Sequence, residues 1–220
     1  MKHLMKIAVM ALIAGAVCTF APQTSFAQLS KKLEKKLSKE RDNEYKKKIK
    51  EYKKEGWKLA GSSRSIEVAL LEHYQKIAES EENKEFVGEV SQCKSINVCK
   101  NFALSNAQNR YANLASGNVK GRISSLLRAD ANLPEIEVDK FIAAYENQVK
   151  AEVSGVLSES YSIVKDNNGM KEYKTFFIMN EEKAGMARAK ALERSLLETK
   201  VAIKEADEIS KFVQEGFSLE

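Results

Sequence analysis

The sequence predicts an α+β protein that is rich in helix and contains one small antiparallel sheet. Three observations lead to this fold class. Charged residues make up 30% of the chain, while it has only 10 glycines and 2 prolines, and this composition favours helices. Apolar residues recur at the spacing of a helix over several long segments. One later segment changes to the two-residue spacing of a strand and contains a turn signal.

The chain begins with an expected bacterial secretory signal over residues 1–27. Lys2 gives it a positive start, and an apolar run over 7–16 has the length of a signal peptide. That run is too short for an ordinary membrane-spanning helix. Small residues place the expected cleavage between Ala27 and Gln28. We therefore expect export, to the periplasm or to the outer membrane or cell surface of a Gram-negative bacterium.

A lipoprotein signal is the alternative interpretation of the same segment. Cys18 lies near the end of the apolar run, where a lipidated cysteine would stand. Small residues are needed just before such a cysteine, and Val17 fits that position poorly. Under the preferred interpretation Cys18 leaves with the signal.

A basic amphipathic helix over 28–55 is expected to precede a single α+β domain over 56–220. Residues 28–54 hold twelve Lys and Arg against five Asp and Glu, whereas the domain is mildly acidic. This asymmetry favours an anionic partner, which could be lipid head groups, cell-wall polymer or an acidic protein face. The expected contacts are six lysines: Lys31, Lys35, Lys39, Lys46, Lys50 and Lys53. A helix that is only solvated, or that pairs in a short coiled coil, is the alternative.

Two strands and one helix are predicted between the basic helix and the first mature cysteine. Residues 57–60 are a short strand candidate, and residues 86–90 are the next. Ser63 or Ser65 can cap a helix over 65–79. The apolar face of that helix is expected to contain the residues at helical spacing, Ile66, Leu70, Tyr74 and Ile77.

A long helix is predicted over 95–128. Its apolar face is expected to contain Ala103, Ala107, Tyr111, Leu114, Val119, Ile123, Leu126 and Leu127. Gly117 and Gly121 lie within it, and each costs about 1 kcal/mol relative to alanine in a helix. We expect close packing of another backbone to offset this cost, and a kink in the helix is the alternative.

A second helix is predicted to start at Pro134. Proline suits the first turn of a helix, and Glu135 and Glu137 favour its positive end. The residues expected to be buried are Val138, Phe141 or Ile142, Tyr145, Val149 and Val153.

A hairpin over 156–179 is the most strongly signalled local structure. Apolar and serine residues alternate in its first strand, and 166–169 is a turn signal. Its return strand is apolar at its end, so both faces are expected to be buried there. Asn180 is expected to cap a last helix over 181–215.

The two cysteines of the expected mature chain, Cys93 and Cys99, are expected to form a disulfide. An oxidising compartment favours a bridge between cysteines this close in sequence. On one helix their Cα atoms would be about 9 Å apart, and a disulfide tolerates at most about 7 Å. The bridge therefore requires Cys93 to lie before the helix. A metal or redox role for the thiols is the alternative.

A family resemblance rests on three features. They are the run 101–115, the continuation of its helix through Val119 and Ile123, and the run 161–165 with 172–177. Together they resemble the Lpp-twenty-type exported lipoproteins, which are small bacterial envelope proteins with a dodecin-like α+β fold. The chain is also similar to uncharacterised exported proteins of Gram-negative gut bacteria. The resemblance implies a dodecin-like core, an envelope location and no known molecular role.

We expect no catalytic, cofactor-binding or metal site. His73 is the one histidine of the expected mature chain, and a lone histidine does not make a typical zinc site. It is expected to be a surface or packing residue. The sequence also lacks glycine-rich phosphate loops, and export makes nucleic acid an improbable partner.

The expected function is a non-enzymatic structural or binding role in the cell envelope. The expected partner is an envelope protein or an anionic envelope surface, bound by a single chain or by a homo-oligomer. A periplasmic carrier or enzyme, with a small-ligand pocket between sheet and helices, is one alternative. A membrane-surface protein anchored by its basic helix is another.

Overall fold

The computed structural model describes residues 24–127, 134–199 and 206–215. The chain divides into two units, residues 1–44 and residues 45–220. Within the first unit, the described residues form the beginning of a long helix, and the side chains described there are exposed. Most of the expected signal, including Cys18, lies outside the described residues.

The second unit confirms the predicted α+β class, with helices packed on a small antiparallel sheet. In chain order the elements of the described chain are α1 (Thr24–Glu55), β1 (Lys58–Leu59), α2 (Ile66–Ala78), β2 (Asn83–Cys93), α3 (Ile96–Leu127), α4 (Glu135–Val153), β3 (Ser158–Asn167), β4 (Met170–Asn180), α5 (Glu181–Thr199) and α6 (Ala206–Glu215). The strands lie in the order β1-β3-β4-β2, and all neighbours are antiparallel.

The predicted hairpin is confirmed as β3 and β4. Asn167 pairs with Met170 across a two-residue turn, and Asn168 and Gly169 have φ angles of 52° and 81°. Two positive φ angles give a turn whose twist matches that of the flanking strands, and Asn-Gly is the favoured pair for it. Local sequence therefore fixes the register of the hairpin.

The alternation expected along the first strand of the hairpin is interrupted. The register shifts between Glu159 and Tyr161, and Tyr161, Ser162 and Ile163 are all buried. Both faces of the sheet are covered at this point, so a polar residue can point inward if it finds a partner. The hydroxyl of Ser162 lies 3.0 Å from that of Thr175, which supplies this partner.

Helix α3 lies against the first face of the sheet, and α4, α5 and α6 pack around α3. Phe86, Phe177 and Met179 of the strands belong to one apolar cluster with residues of these four helices. Helix α4 begins at Glu135, one residue after the predicted start, with Pro134 as its N-cap, and the residues predicted to be buried on that helix are buried. Leu114 of α3 was expected in the core but is 42% exposed. The side chains of Leu126 and Leu127 lie outside the described residues.

The expectation of close packing at two glycines of α3 is wrong. A Cβ atom at Gly117 or Gly121 would meet nothing within 4 Å. The small residues that are buried in the middle of this helix are instead Ala112, Ala115 and Ser116. Helix α3 turns this side to the helical layer, so the glycines lie on the opposite, open side.

The last predicted helix is described as two helices. Asn180 caps α5 as expected, because its Oδ1 accepts a hydrogen bond of 3.2 Å from the backbone N–H of Lys183. Helix α5 is described to Thr199 and α6 from Ala206. The residues between them, 200–205, lie outside the described residues. Leu192 of α5 and Ile209 and Val213 of α6 are buried in the core.

The end of α1 and helix α2 cover the second face of the sheet. Ile49 and Tyr52 of α1 pack with Leu70 of α2 and with Tyr161 and Phe176 of the strands. The compact unit therefore begins at Tyr45, before the expected domain boundary at residue 56. Gly56, with a φ angle of 78°, ends the helix as expected.

Helix α2 begins where the sequence predicts, but its buried face is rotated. Ser65 is the cap, because its hydroxyl accepts a hydrogen bond of 3.3 Å from the N–H of Val68. The buried residues are Ile66, Ala69, Leu70 and His73. Tyr74 and Ile77, which were expected in this face, are half-buried at its edge. The histidine that sequence left as a surface or packing residue is therefore part of the core.

Candidate functional site

The last three turns of α1 present two different sides. Tyr45, Ile49 and Tyr52 follow the spacing i, i+4, i+7, and they face the second side of the sheet. The Tyr45 hydroxyl donates a hydrogen bond of 3.3 Å to the backbone carbonyl of Glu67. These contacts fix the rotation of the helix, so they also decide which residues face solvent.

The solvent side of this segment is basic. We give the name lysine face to the four exposed lysines of this segment that make no ion pair with a described residue: Lys46, Lys47, Lys50 and Lys54. Within the described part of the chain, none of the four takes part in an ion pair. Glu51 is the one acidic residue among the exposed side chains between Lys46 and Lys54. The lysine face therefore carries a surplus of positive charge that no neighbouring carboxylate neutralises.

Two other lysines of the same segment do have carboxylate partners. Lys53 Nζ lies 2.6 Å from Glu67 Oε1, and the hydrogen bond raises the pKa of this lysine. Lys48 Nζ lies 4.0 Å from Glu85 Oε1 and 5.6 Å from the ring centre of Tyr74. Burial would lower the pKa of Lys48, but Glu85, Tyr74 and Tyr52 together outweigh it and the pKa is raised. Both lysines tie α1 to the body.

The six lysines that the sequence analysis proposed as contacts lie in different environments. Lys46 and Lys50 belong to the lysine face, and Lys35 and Lys39 are exposed in the first unit. Lys53 pairs with the carboxylate of Glu67. The side chain of Lys31 lies outside the described residues, and so does most of the segment before the expected cleavage. Ala27 and Gln28 lie on α1.

Sequence analysis missed Lys47 and Lys54. The six proposed lysines were not chosen by their position relative to Tyr45, Ile49 and Tyr52, whose contacts set the rotation of the end of α1. The spacing of these three residues is the signal that finds both lysines, because Lys47 and Lys54 lie on the opposite side of the helix.

A buried polar cluster lies beneath α1 and α2. His73 has no exposed surface, and its Nε2 lies 2.6 Å from Glu85 Oε2. A carboxylate can only accept, so Nε2 donates to it. Nδ1 makes no hydrogen bond with the described residues. The ring packs edge-on against Tyr161 at 5.2 Å and Phe176 at 6.1 Å.

The ionisation of this cluster is set by burial and by its own contacts. Burial would raise the pKa of Glu85, but the hydrogen bond from His73 and the charge of Lys48 outweigh it and lower the pKa. Burial raises the pKa of Tyr161 and of Tyr52, whose hydroxyls lie 3.5 Å apart. The groups are enclosed by rings and helices, so the cluster joins helix α2 to the sheet.

A second buried cluster lies on the other face of the sheet. Arg188 has no exposed surface, and its guanidinium contacts three elements. Nη1 lies 2.7 Å from Glu181 Oε1 and donates to the hydroxyl of Tyr111, and Nε donates to the backbone carbonyl of Val213 at 2.9 Å. Burial raises the pKa of Tyr111 to about 12. The cluster therefore joins α3, α5 and α6.

The two cysteines of the expected mature chain are joined. The structure bonds Cys93 to Cys99 with their Cα atoms 5.4 Å apart. Cys93 is the last residue of β2 and Cys99 lies in the first turn of α3. The pair has the arrangement that the sequence analysis required, with the first cysteine before the helix.

Two grooves lie on the described surface, away from both clusters. One, of about 470 Å³, lies along α3 at Asn106, Asn109, Arg110, Asn113 and Leu114. The other, of about 560 Å³, lies between α4 and α5. The first groove is lined by residues of α3 and the second by residues of α4 and α5.

Two further observations concern the described residues alone. Residues 24–127, 134–199 and 206–215 contain no group of three or more His, Cys, Asp or Glu that could hold a metal ion. Among the helices described, none combines the length and the apolar character that crossing a membrane requires.

Comparison with known proteins adds no relative. No family model, no curated protein and no solved structure matches the chain. The resemblance to the Lpp-twenty-type lipoproteins therefore stays a prediction from sequence, and function has to be argued from the surface of the molecule.

Proposed function

We propose that this chain is an exported, non-enzymatic protein of the cell envelope that binds an anionic envelope surface through the lysine face of α1. The observation that carries the proposal is the contrast within α1. Lys48 and Lys53 are used in contacts with carboxylates, while the four lysines of the lysine face are exposed and have no ion pair among the described residues.

The apolar side of this segment favours electrostatic binding over insertion of the helix. Tyr45, Ile49 and Tyr52 are used in packing against the body, so the end of α1 has no free apolar stripe to bury in a bilayer. Lysines near an anionic surface contribute about 1 kcal/mol each, and salt screens them over a distance of about 10 Å at 0.1 M. Binding should therefore be reversible and sensitive to salt.

Location and family are part of the same proposal. The signal-like first 27 residues favour export, and a disulfide between Cys93 and Cys99 suits an oxidising compartment. The order of strand, long helix, second helix and hairpin from β2 to β4 supports membership of the Lpp-twenty-type family with its dodecin-like core.

Four substitutions to glutamine test the lysine face. Glutamine removes the charge and keeps the propensity of lysine for helix. The variant replaces Lys46, Lys47, Lys50 and Lys54. A matched control replaces four exposed lysines elsewhere with glutamine: Lys84, Lys94, Lys140 and Lys183. Both variants have the same net charge, so only the position of the lysines differs.

The assay is co-sedimentation of residues 28–220 with anionic vesicles and with purified cell wall at low and high salt. We expect the lysine-face variant to lose at least about tenfold in affinity for one of the two surfaces, from about 1 kcal/mol per lysine. The control should bind like the unaltered chain. Equal binding by the two variants would contradict the proposal.

A truncated chain separates the first unit from the lysine face. It should begin at Tyr45, because a chain that begins at Gly56 would lack the core residues Ile49 and Tyr52. If the chain from Tyr45 keeps salt-sensitive binding, the lysine face is sufficient. If binding is lost with the first 44 residues, the exposed lysines of the first unit carry it instead.

A further inference from the structure

Helix α2 exposes two large apolar side chains on its outer side. Val68 is 44% exposed and Leu71 is 53% exposed. They lie three residues apart, so they are neighbours on one side of the helix. The buried residues Ile66, Leu70 and His73 point the other way, toward the sheet. Exposing two such side chains leaves apolar surface in water at a position where a polar residue would be tolerated.

These two residues belong to the same outer surface as the lysine face. The inner sides of α1 and α2 share one apolar cluster over the second face of the sheet, so their opposite sides both face outward. Leu71 is also four residues from Glu67, which holds Lys53 of α1. The outer surface formed by α1 from Tyr45 and by α2 therefore combines free lysines with exposed apolar side chains.

The carboxylates on this surface are largely matched by their own partners. Glu67 lies 2.6 Å from Lys53, and Glu72 lies 2.6 Å from Arg64. The lysine face keeps its positive surplus beside Val68 and Leu71. A complementary partner must therefore offer negative charge and, directly beneath it, an apolar layer.

We propose that the outer surface of α1 and α2 docks on an anionic lipid bilayer, with Leu71 and Val68 entering the interface and the lysine face lying at the level of the phosphates. The inference rests on the proposed function and names its partner. A bilayer interface is the envelope surface that supplies both contacts, since a polyanionic polymer has charge without an apolar layer. Stable peripheral binding commonly needs two such signals.

The two contacts respond differently to salt, and this makes the inference testable. Raising the salt from 0.1 M to 1 M shortens the screening length from about 10 Å to about 3 Å and weakens the lysine contacts. The contribution of apolar burial does not weaken with salt. At high salt the protein should therefore keep a fraction of its affinity for vesicles, and this fraction should depend on Leu71 and Val68.

The first experiment replaces both apolar residues with serine. The Val68→Ser/Leu71→Ser variant is compared with Met186→Ser/Leu197→Ser, which replaces two exposed apolar residues on α5. Partitioning of residues 28–220 to vesicles containing phosphatidylglycerol should fall about tenfold for the first variant, since each half-exposed side chain gives up about half of its transfer free energy. The α5 variant should partition like the unaltered chain.

The outcomes separate this inference from the proposed function. If the serine variant on α2 binds vesicles as well as the α5 variant does, while the lysine-face variant loses binding, the inference is overturned and the proposed function stands. If neither the unaltered chain nor any variant binds vesicles, while the unaltered chain binds cell wall, the bilayer is not the partner. If the lysine-face variant binds all surfaces normally, the proposed function itself fails.

A second experiment places a reporter at the contact. In Leu71→Trp, the new indole should be quenched by lipids brominated in their acyl chains. Trp57 is the one tryptophan of the chain and is 7% exposed, so it provides a constant background. Leu197→Trp is the matched control and should show no quenching. Equal quenching of the two variants, or none in Leu71→Trp when vesicles are bound, would overturn the inference.

Discussion

Gly88 of β2 lies directly against the backbone of Ala103 in α3, so closely that a Cβ atom on Gly88 would overlap the Ala103 carbonyl oxygen. This contact sets the distance between the sheet and α3. A glycine stands at this position of β2 because any side chain there would force the helix away.

Gly88→Ala is expected to lower the free energy of unfolding by about 1–3 kcal/mol or more, since the obstacle is backbone that cannot move aside alone. Urea unfolding checks this. The control is Gly117→Ala in α3, where the added methyl meets open space and should raise stability by up to about 1 kcal/mol. Effects of the same sign and size at both positions would contradict the contact.

Arg188→Met is expected to be strongly destabilising. It leaves Glu181 and Tyr111 without the guanidinium that contacts both, and it frees the carbonyl of Val213. Removing one partner of a buried pair costs about 3–5 kcal/mol, which thermal or urea unfolding would detect. Arg194→Met is the control, because Arg194 is exposed and shares Glu152 with Lys190. A loss no larger than that of the control would refute the role of Arg188.

The stabilising contribution of Glu85 should be lost in acid. Its pKa is lowered in the folded state, so its contribution is present above the ordinary value near 4.5 and is lost as the pH falls through the lowered value. Glu85→Gln should therefore flatten the dependence of stability on pH below about 4.5. Glu85→Ala should also cost about 1–3 kcal/mol at pH 7, because it removes the acceptor of the buried His73. If the free energy of unfolding of Glu85→Gln fell in acid as steeply as that of the unaltered chain, this assignment would be contradicted.

The disulfide should be measurable both as a mass and as a free energy. Intact mass without reduction should be about two mass units lower than after reduction, and neither Cys93 nor Cys99 should alkylate before reduction. Replacing both by serine should lower the free energy of unfolding by about 2 kcal/mol, as expected for a short closed loop. Alkylation of both thiols in the unreduced protein would rule out the bridge.

Elements with local signals could be predicted from the sequence. The Asn168-Gly169 turn, the start of α4 at Pro134 and the cap of α5 at Asn180 all rest on residues adjacent in the chain. The position of Cys93 before α3 followed from the reach of a disulfide. These features need no knowledge of what packs against them.

Features that depend on a tertiary partner could not be predicted. Whether Ile49 and Tyr52 belong to an exposed arm or to the core depends on the sheet beneath them, and no pattern within α1 decides it. His73 looked like a surface or packing residue because its acceptor, Glu85, lies on another element. Gly117 looked like a packing site because close packing was expected to offset the cost of glycine in a helix, and here a Cβ atom would meet nothing within 4 Å.

The central claim is that position, and not total charge, makes the lysine face a binding surface. The most direct test is the affinity of residues 28–220 at low salt for the surface that the unaltered chain binds, anionic vesicles or purified cell wall, measured for the variant at Lys46, Lys47, Lys50 and Lys54 and for the equally charged control. The account predicts that the lysine-face variant loses at least about tenfold in affinity while the control keeps it. Equal affinities for the two variants would contradict the account.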